Sequence, residues 1–161
     1  MPNTLRASLL LACIPFVWMT QHNSEKMSIE QQQAIEKAIV DVQAKMQQAA
    51  QLGDVDALYA YVLEMDKGVI IEDGRIRWTR QEALSATKQG LLGLKELVYS
   101  YTKKNVTAIS PDVALWVGEG TSSATLQDGR QISAPFAESI LFVKQEGQWK
   151  VFHAHRSVPN R

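Results

Sequence analysis

Residues 147–157 read Gly147-Gln148-Trp149-Lys150-Val151-Phe152-His153-Ala154-His155-Arg156-Ser157, and this segment decides the fold. Aromatic and β-branched residues mixed with polar ones predict a strand. Because side chains of a strand alternate between its faces, one face should carry Trp149, Val151, His153, His155 and Ser157, and the other Phe152, Ala154 and Arg156. So many polar groups indicate a strand that lines a cavity on one side and an interface on the other.

The chain has 161 residues, zero formal net charge and one cysteine, Cys13. This length predicts a single domain with one hydrophobic core. A lone cysteine excludes an internal disulfide and a zinc ribbon, and no basic block or glycine–aromatic signature indicates nucleic-acid binding. We therefore expect neither a cofactor nor a nucleic-acid partner.

Residues 1–26 have the pattern of a secretion signal, a weakly positive start followed by an apolar run over residues 7–19. The run is shorter than the roughly 20 residues that cross a bilayer, so no membrane span is predicted. Leu10-Leu11-Ala12-Cys13 is similar to a lipoprotein box, with a lipid anchor at Cys13. We predict a signal peptide or lipoprotein signal over 1–26, one domain over 27–161, and a periplasmic or secreted protein. If Met27 is the true start, the protein is cytoplasmic.

Three helices are predicted, and two of them begin with a capping box. Ser28-x-x-Gln31 opens a long amphipathic helix, and Thr79-x-x-Glu82 opens the third helix. Asp54 caps a short second helix between them. The apolar stripe of the long helix consists of Ile35, Ile39, Val42, Met46 and Ala49.

The rest of the chain is predicted to form strands. Asp73-Gly74, between strand-like runs at 69–72 and 75–78, indicates a type I′ hairpin turn, which needs positive φ at both central residues. Four longer strands are predicted at about residues 96–109, 113–126, 131–144 and 147–157, with a bulge near Asn105. This order predicts an α+β fold, with three N-terminal helices packed on one face of a curved, mostly antiparallel sheet.

The element order and residues 147–157 together resemble the nuclear transport factor 2-like superfamily, over about residues 30–158. The nearer branches are the SnoaL-like domains and the association domain of calcium/calmodulin-dependent kinase. Residues 147–157 match the association domain's G-K-W-x-x-V-H-x-H-x-S ending, with Phe152 in place of its valine. Three shorter matches to SnoaL-like domains are Glu72-Asp73-Gly74-Arg75, Pro111-Asp112-Val113-Ala114 and Asp128-Gly129-Arg130.

The resemblance implies a cone-shaped half-barrel that encloses a pocket and commonly forms dimers through its outer sheet face. Some members of the superfamily are acid–base enzymes, such as ketosteroid isomerase and scytalone dehydratase, whereas many bind a ligand or partner without catalysis. Kinase association domains hold carboxylates with several pocket arginines, and only Arg156 falls on such a position here. The fold alone therefore assigns no function.

Arg156 is the leading ligand-binding candidate, because its donors can grip a carboxylate bidentately beside an apolar wall. The alternative is a structural ion pair with Glu138 on the adjacent strand. The predicted ligand-binding set is Arg156, Trp116, Phe152, Glu138, Tyr99 and His155. Trp116 lies near Gly118 and Gly120, which leave space above the sheet for a bulge or a ligand.

Other residues of the sequence bear on metal binding and on acid–base chemistry. His153 and His155 could supply two metal ligands from one strand, but the sequence lacks a complete ligand spacing, so no metal site is predicted. Acid–base catalysis needs a carboxylate or histidine that titrates near neutral pH, and a donor that stabilises an oxyanion. The catalytic candidates are Asp66, His153 and Tyr59, without an assigned pairing.

The sequence therefore predicts a small-ligand-binding or accessory domain that forms a homodimer and catalyses no reaction. Its ligand is expected to be a small organic molecule that bears a carboxylate. Two alternatives stay open. One is an acid–base enzyme of the isomerase or dehydratase type that works without a metal. The other is an oligomerisation module, like the kinase association domain, in which the pocket is vestigial.

Overall fold

A computed structural model describes residues 26–65 and 69–159 of the chain. The helices are α1 (Ile29–Gln51), α2 (Val55–Tyr59) and α3 (Arg80–Leu91), and the strands are β1 (Ile70–Glu72), β2 (Arg75–Arg77), β3 (Leu94–Ser110), β4 (Val113–Leu126), β5 (Gln131–Gln145) and β6 (Gln148–Ser157). The strands form one open sheet in the order β2-β1-β6-β5-β4-β3, antiparallel except where β1 runs parallel to β6. The predicted α+β class, its element order and its mostly antiparallel sheet are confirmed.

The segment predicted to direct export lies almost wholly outside the described residues. Cys13 and residues 1–25 belong to that part, so the signal peptide and the lipid anchor stay predictions. Within residues 26–65 and 69–159, no helix is long and apolar enough to cross a bilayer.

Both predicted capping boxes are present. Ser28 Oγ accepts from the backbone N–H of Gln31 at 3.2 Å, and Gln31 Oε1 accepts from the backbone N–H of Ser28 at 2.9 Å. These bonds satisfy N–H groups that the first turn of α1 would otherwise leave without partners. Helix α1 buries Ile39 and Met46 as its apolar stripe predicts, and it also buries a polar residue, Gln43.

The β1–β2 hairpin has the predicted type I′ turn. Asp73 has a φ of 49° and Gly74 a φ of 72°, so both central residues lie in the left-handed region. Strand β1 pairs in parallel with β6, which sets Glu72 beside Arg156. The hairpin therefore extends the sheet at its β6 edge and brings charged residues toward the helices.

The predicted division of β6 into two faces is wrong, because the strand contains a bulge. Val151 pairs with Phe142, but His153 pairs with the preceding residue Leu141, so Phe152 is an extra residue without a partner. A bulge of this kind reverses the alternation of side chains beyond it. Trp149 and Val151 before the bulge, and Ala154 and Arg156 after it, consequently all face the helices.

The bulge predicted near Asn105 is also misplaced. The register of β3 against β4 shifts between Tyr101 and Lys103 instead. At this shift the Tyr101 ring lies over Gly118, where an added Cβ would come within 2.9 Å of the ring carbons. The space above the two glycines of β4 is thus occupied by Tyr101 and by the backbone of β3.

The hydrophobic core lies between the helices and the inner face of the sheet. Its largest fully buried side chains are Trp116, Phe142, Ile39, Val69 and Val151. Full burial of each of these side chains contributes about 1.5–3 kcal/mol to stability. The core leaves a space toward the hairpin, whose residues Ile70, Glu72 and Arg77 line it.

Substitution of Gly120 by alanine should destabilise the fold, because an added Cβ would collide with the carbonyl oxygen of Ser100. We expect Gly120→Ala to lower the free energy of unfolding by about 1–3 kcal/mol, as measured by chemical denaturation. Gly90→Ala is the matched control, because open space surrounds that position in α3 and alanine favours a helix by about 1 kcal/mol. Equal effects of the two substitutions would contradict the close approach of β3 and β4.

Candidate functional site

A cavity of about 400 Å³ lies between the three helices, the hairpin and the inner face of the sheet. Its wall is mostly apolar, with Met46, Leu58, Val62, Leu91 and Ile140 among the lining residues. Its polar lining residues are Gln43, Gln47, Tyr59, Glu72, Asp73, Arg77, Thr87, Tyr99, Tyr101, Glu138, His155 and Arg156. An apolar space of this size with a few convergent polar groups is typical of a small-molecule site.

The floor of the cavity is built around a buried carboxylate, Glu138 of β5, whose side chain is 5% exposed. Its Oε1 accepts hydrogen bonds from the Tyr101 hydroxyl at 2.5 Å and from Gln43 Nε2 at 3.3 Å. Gln43 Nε2 also lies 3.1 Å from the Tyr101 hydroxyl oxygen. Because a buried carboxylate is costly without partners, these contacts explain why α1 buries a glutamine in its apolar stripe.

Arg156 lies opposite Glu138 on the neighbouring strand β6. Its Nε is 3.5 Å from Glu138 Oε2, which makes an ion pair, and its Nη1 donates to the Tyr99 hydroxyl at 2.9 Å. The guanidinium also lies against the Tyr99 ring, 4.9 Å from the ring centroid. Burial alone would lower the pKa of Arg156, but Tyr99 and Glu138 outweigh it and raise the pKa above its ordinary value. The side chain therefore stays protonated, its contacts with Glu138 and Tyr99 hold it in place, and it remains 36% exposed.

Two tyrosine hydroxyls in the cavity are held in the neutral form. Burial, followed by the neighbouring Glu138 charge and its hydrogen bond, raises the pKa of Tyr101 far above its ordinary value. Burial also raises the pKa of Tyr59 to about 12, and its hydroxyl lies 2.8 Å from the hydroxyl of Thr87. Both groups can donate or accept hydrogen bonds near neutral pH, but neither forms a phenolate there.

The structure brings Arg156, Glu138 and Tyr99 together at the cavity, and Tyr59 lines its opposite side. Two other members of the predicted ligand-binding set lie elsewhere. Trp116 is 2% exposed and packs edge-on against the Tyr101 ring in the core, and Phe152 is 39% exposed at the bulge. Neither residue lines the cavity.

Of the three catalytic candidates, Tyr59 lines the cavity, but His153 does not and Asp66 is not among the described residues. His153 pairs with Leu141 and His155 with Ser139, which are positions of the outer sheet face. His155 nevertheless borders the cavity at the sheet edge. Asp66 lies outside the described residues. Within residues 26–65 and 69–159, no group of three or more histidine, cysteine, aspartate and glutamate side chains is arranged to hold a metal ion.

Several polar residues of the cavity were not among the predicted site residues, and Gln43, Glu72 and Arg77 are three of them. The hairpin contained a usable signal: a two-residue turn pairs Ile70 with Arg77, so that Arg77 shares a face with the inward Ile70. Gln43 gave no comparable signal, because its burial depends on Glu138, which lies 95 positions away along the chain.

Removal of the Tyr101 hydroxyl should destabilise the protein, because Glu138 would lose its shortest hydrogen bond. We expect Tyr101→Phe to lower the free energy of unfolding by about 1–3 kcal/mol, as measured by urea denaturation. Tyr61→Phe is the control, because Tyr61 also packs against the core while its hydroxyl makes no hydrogen bond to a described residue. A loss in Tyr101→Phe no larger than in the control would mean that Glu138 does not depend on this donor.

Several solved structures share the fold at low sequence identity. One is a proposed dehydratase of the NTF2-like family from Streptomyces avermitilis (15% identity, TM-score 0.71, 80% of this chain and 99% of that chain covered). Another is a candidate calcium/calmodulin-dependent protein kinase II association domain from Xanthomonas campestris (17% identity, TM-score 0.62, 78% of this chain and 86% of that chain covered). A third is a type 2 hexachlorocyclohexane dehydrochlorinase, LinA (16% identity, TM-score 0.69, 83% of this chain and 90% of that chain covered). These similarities establish the NTF2-like cone-shaped fold.

Sequence comparison gives the family. No curated protein is significantly similar to this chain. The profile of the SnoaL-like domain, however, matches residues 39–161, which include the hairpin, α3 and all four long strands. The match therefore includes Glu138 and Arg156 as well as the segment that decides the fold. The chain belongs to the SnoaL-like domain family.

Proposed function

We propose that the protein is a homodimeric binding domain for a small organic ligand, and that Arg156 holds an acidic group of this ligand. The proposal rests on the contacts of Arg156 and on its partial exposure to the cavity. Glu138 and Tyr99 fix its guanidinium, yet the side chain remains partly exposed at a mostly apolar cavity. Its Nη2 makes no hydrogen bond to any residue in the described ranges, so this donor is available to a ligand.

The arrangement favours binding because Arg156 is ordered before a ligand arrives. Ordering a long side chain at a binding site costs about 0.5–1.5 kcal/mol, and the contacts with Glu138 and Tyr99 reduce that cost. Guanidinium donors match the two oxygens of a carboxylate, whereas the apolar wall matches a hydrocarbon body. Glu138 is only 5% exposed and already accepts hydrogen bonds from Tyr101 and Gln43, so its role is to position Arg156 and Tyr101.

The geometry gives less support to an acid–base enzyme. The Tyr101–Glu138 pair consists of two titratable groups within hydrogen-bond reach, but the Tyr101 proton already points at Glu138. Tyr59 could still donate to an oxyanion, with Asp66 or a histidine as base. That alternative is of the isomerase or dehydratase type, and neighbours named as a dehydratase and a dehydrochlorinase make it worth testing. An open cavity argues against a pure oligomerisation module with a filled cone.

The outer face of the sheet supports the homodimer. The helices lie on the inner face, and outward positions of β4 and β5 carry Leu115, Val117, Leu141 and Val143. Val117 is 38% exposed, and the other three are partly exposed. A second copy would cover this aliphatic surface, since exposed apolar patches commonly mark interfaces.

Native mass spectrometry of freshly purified protein tests both parts of the proposal. We expect a dimer mass with an added small molecule, and we expect Arg156→Gln to lose the added mass while it remains a dimer. Arg130→Gln is the control, because Arg130 is exposed, forms its ion pair with Asp128 and does not line the cavity. A monomer without added mass would contradict both parts, and retention of the molecule by Arg156→Gln would contradict the role of Arg156.

A further inference from the structure

The hairpin places a second charged pair at the same cavity. Glu72 of β1 and Arg77 of β2 both line it, and Arg77 Nε lies 3.6 Å from Glu72 Oε1. Their side chains are 27% and 29% exposed, respectively. Glu72 is the register neighbour of Arg156 on the parallel strand β6, so the pair lies one strand from the proposed acid-binding group.

This pair has unused hydrogen-bonding capacity. A separation of 3.6 Å is longer than a hydrogen bond, and Arg77 Nε is buried without any hydrogen-bond partner. Among residues 26–65 and 69–159, no group accepts a hydrogen bond from the Arg77 guanidinium, and none donates one to the Glu72 carboxylate. Partly buried charged groups are normally satisfied. A ligand in the cavity can reach the Nη groups of Arg77, which are not buried as Nε is, and the Glu72 carboxylate, so this pair is suited to bind one.

The chemistry of the Glu72–Arg77 pair restricts which chemical groups of a ligand it can bind. Arg77 offers only donors, and Glu72 offers only acceptors. A second carboxylate on the ligand would meet Arg77 favourably but would be repelled by Glu72 and by Asp73, which borders the cavity from the hairpin turn. A neutral carboxamide satisfies both members at once, with its oxygen on Arg77 and its N–H groups on Glu72.

We propose that the Glu72–Arg77 pair binds an uncharged donor–acceptor group of the ligand, of the carboxamide type, while Arg156 binds the ligand's carboxylate. The inference rests on the proposed function and narrows it to a class of ligand: a short acid with an amide at its other end. The apolar wall, which includes Leu58, Val62 and Leu91, then contacts the chain that joins the two groups.

Isothermal titration calorimetry with matched probes tests the inference. For four-, five- and six-carbon chains, the probes are the simple alkyl acid, the diacid and the diacid monoamide. At one or more lengths the monoamide should bind about tenfold more tightly than the alkyl acid, because hydrogen bonds to charged groups are worth about 1.5–3 kcal/mol. The monoamide should also bind more tightly than the diacid of the same length.

Variants of the pair give a sharper test than the probes alone. Arg77→Gln should remove most of the preference for the monoamide over the alkyl acid. Glu72→Gln should reverse the order of monoamide and diacid, because it removes the repulsion and leaves Arg77 available. Arg75→Gln is the matched control, since Arg75 lies on the same strand but is exposed and does not line the cavity. Arg77→Lys replaces Arg77→Gln if the latter does not fold, and it should likewise weaken the preference.

The outcomes separate this inference from the proposed function. If alkyl acids bind and Arg156→Gln abolishes their binding, but the monoamide is no tighter at any length, the carboxamide inference is wrong and the acid site stands. If the Glu72 and Arg77 variants keep the wild-type order of probes, the inference is also wrong. If no probe binds, both the inference and the proposed acid site are contradicted.

Discussion

The structure depends on the burial of one carboxylate. Glu138 receives the Tyr101 hydroxyl from β3, the Gln43 amide from α1 and the Arg156 guanidinium from β6. A buried carboxylate without such partners would cost several kcal/mol, so the three elements must meet at this point. The hydrogen bond from Gln43 to Glu138 therefore ties α1 to the inner face of the sheet.

The same constraint shapes the cavity. Tyr101 reaches Glu138 across β4, and it can do so because Gly118 leaves space for its ring. Two irregularities allow side chains from β3 and β6 to face inward. One is the register shift beside Tyr101 in β3, and the other is the bulge at Phe152 in β6. The polar floor and the apolar wall are therefore consequences of one packing arrangement, and Arg156 is the cation that this arrangement leaves at the cavity surface.

Local signals in the sequence predicted much of the fold. The capping residues Ser28 and Thr79 set two helix starts, and Asp73-Gly74 set the hairpin, because each acts through bonds or dihedral angles within a few residues. The inner and outer faces of β6 were predicted wrongly, since alternation assumes an unbroken register and the bulge at Phe152 arises from pairing with β5. Phe152 was assigned to the ligand site on that basis, whereas Trp116 was assigned because Gly118 and Gly120 were expected to leave space above the sheet. The structure places both residues outside the cavity lining.

The polar half of the site was harder to predict than the fold. Arg156 and Glu138 were found because they lie on adjacent predicted strands, whereas Glu72 and Arg77 reach the cavity only through the parallel pairing of β1 with β6. This pairing joins segments more than 80 positions apart, and no local pattern specifies it. The hairpin turn alone predicts that Arg77 shares a face with Ile70, but it does not predict that this face meets a cavity.

A double-mutant cycle between Glu138 and Arg156 tests most directly whether the buried carboxylate organises this structure. The free energy of unfolding would be measured for the wild type, Glu138→Gln, Arg156→Gln and the double variant. We expect a coupling energy of about 1–2 kcal/mol, reduced from that of a fully buried pair because Arg156 is partly exposed. Additive effects within about 0.5 kcal/mol would show that the two residues act independently, and would contradict the proposal that Glu138 organises the structure.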